Sequence, residues 1–226
     1  TRIRRNTEKA EIILFEKGEY ISYANCGLPY YIGGVIRDRE RLFVQTPEAF
    51  ARRFRVDVRT ASEVTAIDVR RKEVTVRTSD GREYVETYDK LLLSPGASPV
   101  RPPLTGIDSR GIFTLRNVQD TDRIKDYVRQ HQVRRALIVG GGFIGLEMAE
   151  NLQHTGAEVA VVEMAAQVMG PIDFSMAALV HEHLLQKGVK LYLEQAVESF
   201  EETASVVTVK FKSGITIETD LVILSI

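Results

Sequence analysis

Two features of this 226-residue chain carry chemistry by residue type and spacing. The first is Gly140-x-Gly142-x-x-Gly145, entered directly from the apolar run 136–139. In such a loop the first glycine makes a tight turn, the second lets backbone approach a pyrophosphate, and the third lets helix and strand pack closely. A helical pattern follows, with Ile144, Met148 and Leu152 four apart, and Gly156 ends it. A second apolar strand, 159–162, closes on Glu163. Strand, glycine loop, helix, strand and terminal acid stand in the order of a dinucleotide-binding βαβ unit. The helix N-terminus offers free N–H groups and partial positive charge to the phosphates. Glu163 is then the acceptor for the adenosine ribose hydroxyls, or else a solvent-facing strand end. A carboxylate repels a 2′-phosphate, and Met164-Ala165-Ala166 brings no arginine to receive one, so the unit reads as one for NADH, with NADPH second.

The second feature is Cys26, the only cysteine. It stands in Ser22-Tyr23-Ala24-Asn25-Cys26-Gly27-Leu28-Pro29, where small and polar residues lead into a loop-to-helix junction. Helix N-termini favour reactive thiolates. Beside a two-electron carrier, one such thiol cycles through a mixed disulfide or a sulfenic acid. An inert buried thiol is the plainer alternative.

The elements that must position these groups follow from pattern. Residues 1–9 read as a helix end in which Arg4 and Arg5 complement the dipole. Residues 11–16 form a buried-type strand ending in Glu16, matching the strand that ends in Glu163. Thr46-Pro47-Glu48 opens a short helix through Phe54. Strands are expected at 56–58, 62–69, 73–78 and 83–88, the last two joined by the turn Ser79-Asp80-Gly81-Arg82. Residues 90–96 read as a buried strand leaving into a loop. Pro99-Val100-Arg101-Pro102-Pro103 is a linker. Asn117 or Asp120 caps a helix carrying Ile124, Tyr127 and Val128. A later helix places Met176, Leu179, Val180 and Leu184 on one face and ends at Gly188. Strands follow at 189–193, at 205–211 and 215–218 around Ser213-Gly214, and at 221–226. Each half thus has a strand ending in Glu, a β-meander and an apolar strand ending near Ser94 or Ser225, a weak internal repeat.

The expected fold is α/β: two Rossmann-like dinucleotide-binding domains, each with a β-meander, at 1–107 with the active cysteine and 108–226. The interval from Gly140 to Glu163 is 163 − 140 = 23 residues; the same interval back from Glu16 lands ahead of Thr1. The first domain is therefore expected to be incomplete, lacking its first strand and glycine loop, and the second to be nearly complete.

Composition narrows the classes. A net charge of −1 makes no case for nucleic acid or an anionic membrane. No apolar run approaches the ~20 residues of a membrane span. One cysteine excludes an internal disulfide and suits a reducing cytoplasm. Four histidines and one cysteine make structural zinc improbable, and His181 and His183 point to different helix faces. The run Arg52, Arg53, Arg55 and Arg59 reads as a solvated face.

The segment 22–34, SYANCGLPYYIGG, resembles the active-site segment of the pyridine nucleotide-disulfide oxidoreductases, single-cysteine branch, of the coenzyme A-disulfide reductase type, including rhodanese-fused forms. EIILFEKG, LLLSPGASP, TLRN, GGGFIGLE and VEMAAQVM extend the resemblance over the whole chain. It implies a flavoenzyme that passes electrons from nicotinamide to FAD, then to Cys26, then to a small-molecule disulfide or persulfide such as coenzyme A disulfide. Cys26 is the implied nucleophile, with Ser22 and Asn25 positioning flavin and substrate. Arg5, with Arg2 on the same side, is implied to contact coenzyme A, or is a charged helix end. Glu16 and Lys17 are implied at the FAD ribose, Val64 at the adenine through its backbone, and Ser94, Pro95 and Gly96 at the flavin edge. Phe143 is either an aromatic gate over the nicotinamide pocket or a packing residue. Ile144 shares the helix start, and Glu147 is either an acid near the nicotinamide or a solvated one. The resemblance also implies a homodimer formed through a C-terminal domain beyond residue 226. The chain alone is expected to hold FAD poorly and to be inactive. An NADH oxidase or peroxidase using a cysteine sulfenic acid, and a non-catalytic NAD-binding module, are the competing expectations.

Overall fold

The computed structural model describes residues 1–203 and 206–226. In chain order it begins with α1 (Arg2–Asn6), β1 (Ile13–Phe15), β2 (Ser22–Tyr23), α2 (Leu28–Ile32), β3 (Phe43–Gln45) and α3 (Pro47–Phe54). There follow β4 (Asp57–Arg59), β5 (Ser62–Asp68), β6 (Glu73–Thr78), β7 (Glu83–Thr87), β8 (Ile112–Thr114) and α4 (Val118–Gln130). The chain continues through β9 (Arg135–Val139), α5 (Phe143–His154), β10 (Glu158–Val162), α6 (Phe174–Gln186) and β11 (Lys190–Tyr192). It ends with β12 (Val197–Thr203), β13 (Val206–Phe211), β14 (Thr216–Thr219) and β15 (Leu221–Leu224). Two compact units result: Thr1–Ala24 with Glu40–Gly96, and Asn25–Arg39 with Ala97–Ile226.

In the first unit, β1 pairs in parallel with β4, Ile13 opposite Asp57 and Phe15 opposite Arg59. The strands β5, β6 and β7 form an antiparallel meander whose second turn uses Gly81 at φ +84°. Thr46 caps α3 by accepting from the Ala49 N–H, with Pro47 in the first turn. One expectation gains detail and another needs correction. Arg4 stands in the last turn of α1, as expected, and is buried. Its guanidinium donates to the carbonyls of Phe54 (2.8 Å), Glu8 (2.8 Å), Ala10 (2.8 Å) and Arg55 (2.6 Å), tying the chain after α1 to the end of α3. Residues 90–96 form no strand, and Leu92 is 77 % exposed. An all-apolar strand needs neighbours on both sides, and the parallel sheet of this unit has only β1 and β4 among the described residues.

The second unit is built on a five-stranded parallel sheet, ordered β11-β10-β9-β15-β8. Beyond Arg135 and Glu158, which open β9 and β10, its central strands are apolar because both faces are covered. Leu137, Val139, Ala160, Val162, Val222 and Leu224 pack with Phe200, Val207, Val209 and Phe211 of the antiparallel meander β12-β13-β14. The alternate residue Ile138 faces Gly145 of α5. Asn117 and Asp120 together form a capping box on α4. The start expected for β13, Ser205, lies outside the described residues. On α6 the buried residues are Ala177 and Leu184, while Met176 and Leu179 are exposed, so the buried face is rotated from the expected one. The strand β12 escaped the sequence pattern.

Candidate dinucleotide and thiol site

The glycine loop joins β9 to α5, and each glycine meets a different constraint. Gly140 has φ +107°, and a Cβ there would stand 2.5 Å from the Ser225 carbonyl oxygen. A Cβ on Gly145 would stand 2.1 Å from the Gly140 carbonyl oxygen and 2.7 Å from Ser225 Oγ. Both positions are closed to side chains by backbone. Gly142 differs: a Cβ there meets no atom of the described residues within 4 Å. It is the N-cap of α5 and carries no side-chain cap, so the first N–H groups of the helix are left for an outside acceptor. This is the space and chemistry a pyrophosphate needs.

Phe143 and Ile144, the first two residues of α5, are 62 % and 50 % exposed. More than half of the Phe143 surface is therefore left uncovered. Glu147 is half-buried one turn on. Glu163 follows β10, and its carboxylate accepts from the Gly141 N–H (2.7 Å) and the Ala165 N–H (2.8 Å). A carboxylate has about four lone-pair sites, so room is left for two hydroxyl donors.

Residues that the sequence pattern did not single out complete this loop. Ser225 Oγ donates within reach of the Val139 (3.0 Å) and Gly140 (2.9 Å) carbonyls. The Met169 N–H donates to the Gly141 carbonyl (2.8 Å), and Val168 fills the space beside Gly141. Their sequence signals were the serine that ends the last apolar strand and the VEMAAQVM segment, neither of which gave them a role.

Cys26 is exposed, on a 3₁₀ turn, Asn25–Gly27, that runs into α2 within the same unit as the glycine loop. Asn25 is exposed beside it. The helix α2 is held from two sides. Gly33, its C-cap, lies so close to α5 that a Cβ would stand 2.6 Å from Asn151 Oδ1. From α4, Lys125 Nζ donates to the Tyr31 carbonyl (2.5 Å) and sits 3.5 Å from its ring centroid. Burial lowers the Lys125 pKa and, with Asp122, raises that of the Tyr31 phenol. Arg39 forks onto Asp122 at 2.7–3.1 Å, closing the segment onto α4.

The remaining residues lie in the first unit. Glu16 follows β1, and its Oε1 accepts from the Gly18 N–H (2.7 Å), as Glu163 Oε1 accepts from Ala165. The match extends to backbone. Glu16 donates to the Arg59 carbonyl and accepts from Ser62; Glu163 donates to the Tyr192 carbonyl and accepts from Gln195. Lys17 pairs with Glu63 (2.8 Å), next to Val64 at a register shift in β5. Ser22 lies in β2 opposite Gln45. Arg2 and Arg5 are exposed on α1, and Ser94, Pro95 and Gly96 lie in an exposed irregular segment, with Gly96 at φ +72°.

Comparison with known proteins places the chain among relatives. The chain is 38 % identical over 224 residues to a coenzyme A disulfide reductase of Staphylococcus haemolyticus, covering 99 % of this chain and 49 % of that protein. The reduced Bacillus anthracis CoADR-RHD structure superposes with a TM-score of 0.96 at 52 % identity, covering 100 % of this chain and 40 % of that one. A NAD-dependent persulfide reductase from A. fulgidus gives 0.94 at 34 %, covering 99 % and 42 %. The chain thus spans about half the length of the curated relatives it matches. The family description pyridine nucleotide-disulphide oxidoreductase matches residues 1–226, and the chain belongs to that family.

Proposed function

We propose that this chain supplies the dinucleotide-handling part and the reactive thiol of a flavin- and NADH-dependent reductase of coenzyme A disulfide or a related persulfide. The observation that carries the reading is one compact unit holding both an open, uncapped glycine loop backed by Glu163 and an exposed Cys26. Residues 108–226 act as the NAD-binding domain, and residues 1–107 contribute to the FAD-binding domain with Glu16, Lys17, Val64 and Ser94–Gly96 toward the flavin. Arg2 and Arg5 offer positive charge to a phosphate-bearing substrate. A single free thiol fits work in a reducing cytoplasm.

Nicotinamide and flavin, when bound, supply the transfer of an electron pair. The protein groups do the rest. The N-terminus of α5 and Gly142 seat the pyrophosphate, and Glu163 takes the ribose hydroxyls and turns away a 2′-phosphate. Phe143 covers the nicotinamide side of the loop. The Cys26 thiolate attacks one sulfur of the substrate disulfide, the other sulfur leaves as a thiolate, and Sγ is left in a mixed disulfide. Two electrons then cleave that bond, returning the Cys26 thiolate, and the second product thiolate takes a proton. Asn25 and Ser22 orient the attacked disulfide.

Steady-state NADH oxidation by the full-length protein, measured with oxygen excluded and again with oxygen admitted, tests the reading. Oxidation that requires added coenzyme A disulfide and stops in Cys26→Ser is expected. Oxidation that requires oxygen and ignores the disulfide points instead to an oxidase.

A further inference from the structure

The loop between Glu163 and α6 forms one face of the dinucleotide site just described, and one side chain of α6 reaches back to it. His181 Nε2 accepts from the Val168 N–H at 3.1 Å. Since Nε2 accepts, the proton of the neutral ring is on Nδ1. The ring is half-buried, with Phe174 edge-on at 6.4 Å between centroids. Val168 is itself fully buried, and its side chain is what a Cβ on Gly141 would strike at 2.7 Å. The next residue, Met169, has φ +53° and donates to the Gly141 carbonyl, while Gly141 donates to Glu163. A left-handed methionine is strained, and the bonds on either side of it hold the conformation.

We propose that His181 is a positioning residue for nicotinamide dinucleotide binding: through Val168 it clamps the 164–172 loop onto Gly141, fixing the glycine loop and the Glu163 carboxylate for the adenosine ribose and pyrophosphate. The inference rests on the reading of this unit as the NADH site. It gives His181 a task that metal chemistry does not, since its neighbour His183 is exposed on the same helix.

The test uses the full-length protein with His181→Leu, which removes the acceptor, and His181→Gln, whose amide oxygen reaches the place of Nε2. His183→Leu controls for a change in the helix itself. Two readouts are taken: amide exchange of residues 140–142 and 164–172 without dinucleotide, and KM against kcat for NADH. His181→Leu is expected to speed exchange in both segments. It should raise the NADH KM roughly threefold to tenfold, the worth of one buried hydrogen bond, with kcat within about twofold. His181→Gln restores both readouts, and His183→Leu leaves them unchanged. Unchanged exchange in His181→Leu overturns the clamp. Faster exchange with an unchanged KM overturns its role in binding. If wild-type protein binds no nicotinamide dinucleotide, the functional reading falls and takes this inference with it, whatever the exchange data show.

Discussion

Gly142→Ala separates a binding glycine from a folding glycine. Gly142 has φ −79° and ψ −174°, which alanine adopts freely. Its Cβ would enter open space, so the fold loses only the difference between glycine and alanine at an N-cap, about 1 kcal/mol or less. In a chain of this size that lowers Tm by about 2–4 °C. Binding is another matter. A phosphate oxygen seated on the α5 N–H groups meets the new methyl and must back away. Losing two charge-assisted hydrogen bonds of about 1.5–3 kcal/mol each amounts to about 3–6 kcal/mol. That weakens NADH by roughly a hundredfold to ten-thousandfold. The chain has no tryptophan, so the emission of NADH itself reports binding without transfer from the protein. Gly140→Ala is the contrasting variant. Its φ of +107° and the Ser225 carbonyl at 2.5 Å both oppose a side chain, so it loses stability first, by about 2–5 kcal/mol. If Gly142→Ala binds NADH within about threefold of wild type, the phosphates do not sit at this loop and the reasoning fails.

Three further outcomes follow. Arg4→Ala strips the bonds to the Glu8, Ala10, Phe54 and Arg55 carbonyls and should cost the first unit about 3 kcal/mol in urea denaturation, with Arg4→Lys recovering less than half; a loss below about 0.5 kcal/mol refutes the clamp. Burial pushes the Asp220 carboxyl up, but the Arg134 and Arg135 N–H groups and the Arg135 guanidinium outweigh it and leave the pKa lowered. Its stabilisation is then fully present above about pH 4 and is lost as pH falls through the depressed folded value, so Asp220→Asn should flatten the acid limb of stability against pH, and an unchanged limb contradicts this. The 226-residue chain purified alone should carry well under one flavin per molecule, because residues 91–93 lie exposed and, among the described residues, β1 pairs only with β4; stoichiometric yellow protein contradicts it.

The second unit was legible because its signals are local and reinforce one another. An apolar strand, a glycine loop and an acid at the next strand end define β9, α5 and β10 without reference to distant residues. The repeat of Glu16 and Glu163 was also visible, down to the acid that ends each strand. What failed is nonlocal. Residues 91–93 and Val222–Leu224 read alike, yet the latter lie in β15 between β9 and β8, and the former have no such neighbours among the described residues. The burial of Arg4 was not legible because its carbonyl partners at 54 and 55 lie fifty residues on. The register shift between Val197 and Ser199 brings Val197 and Phe200 to the buried side three residues apart, which hides the two-residue period of β12. At the site, the backing by Val168, Met169 and Ser225 depends on close approach of backbone, which spacing alone does not reveal.

The most direct test of the account is the intact mass of the full-length protein after exposure to coenzyme A disulfide without NADH. One coenzyme A adduct per chain is expected, mapped to Cys26, released by NADH and absent in Cys26→Ser. An adduct elsewhere, or none in an enzyme that still oxidises NADH with this disulfide, contradicts it.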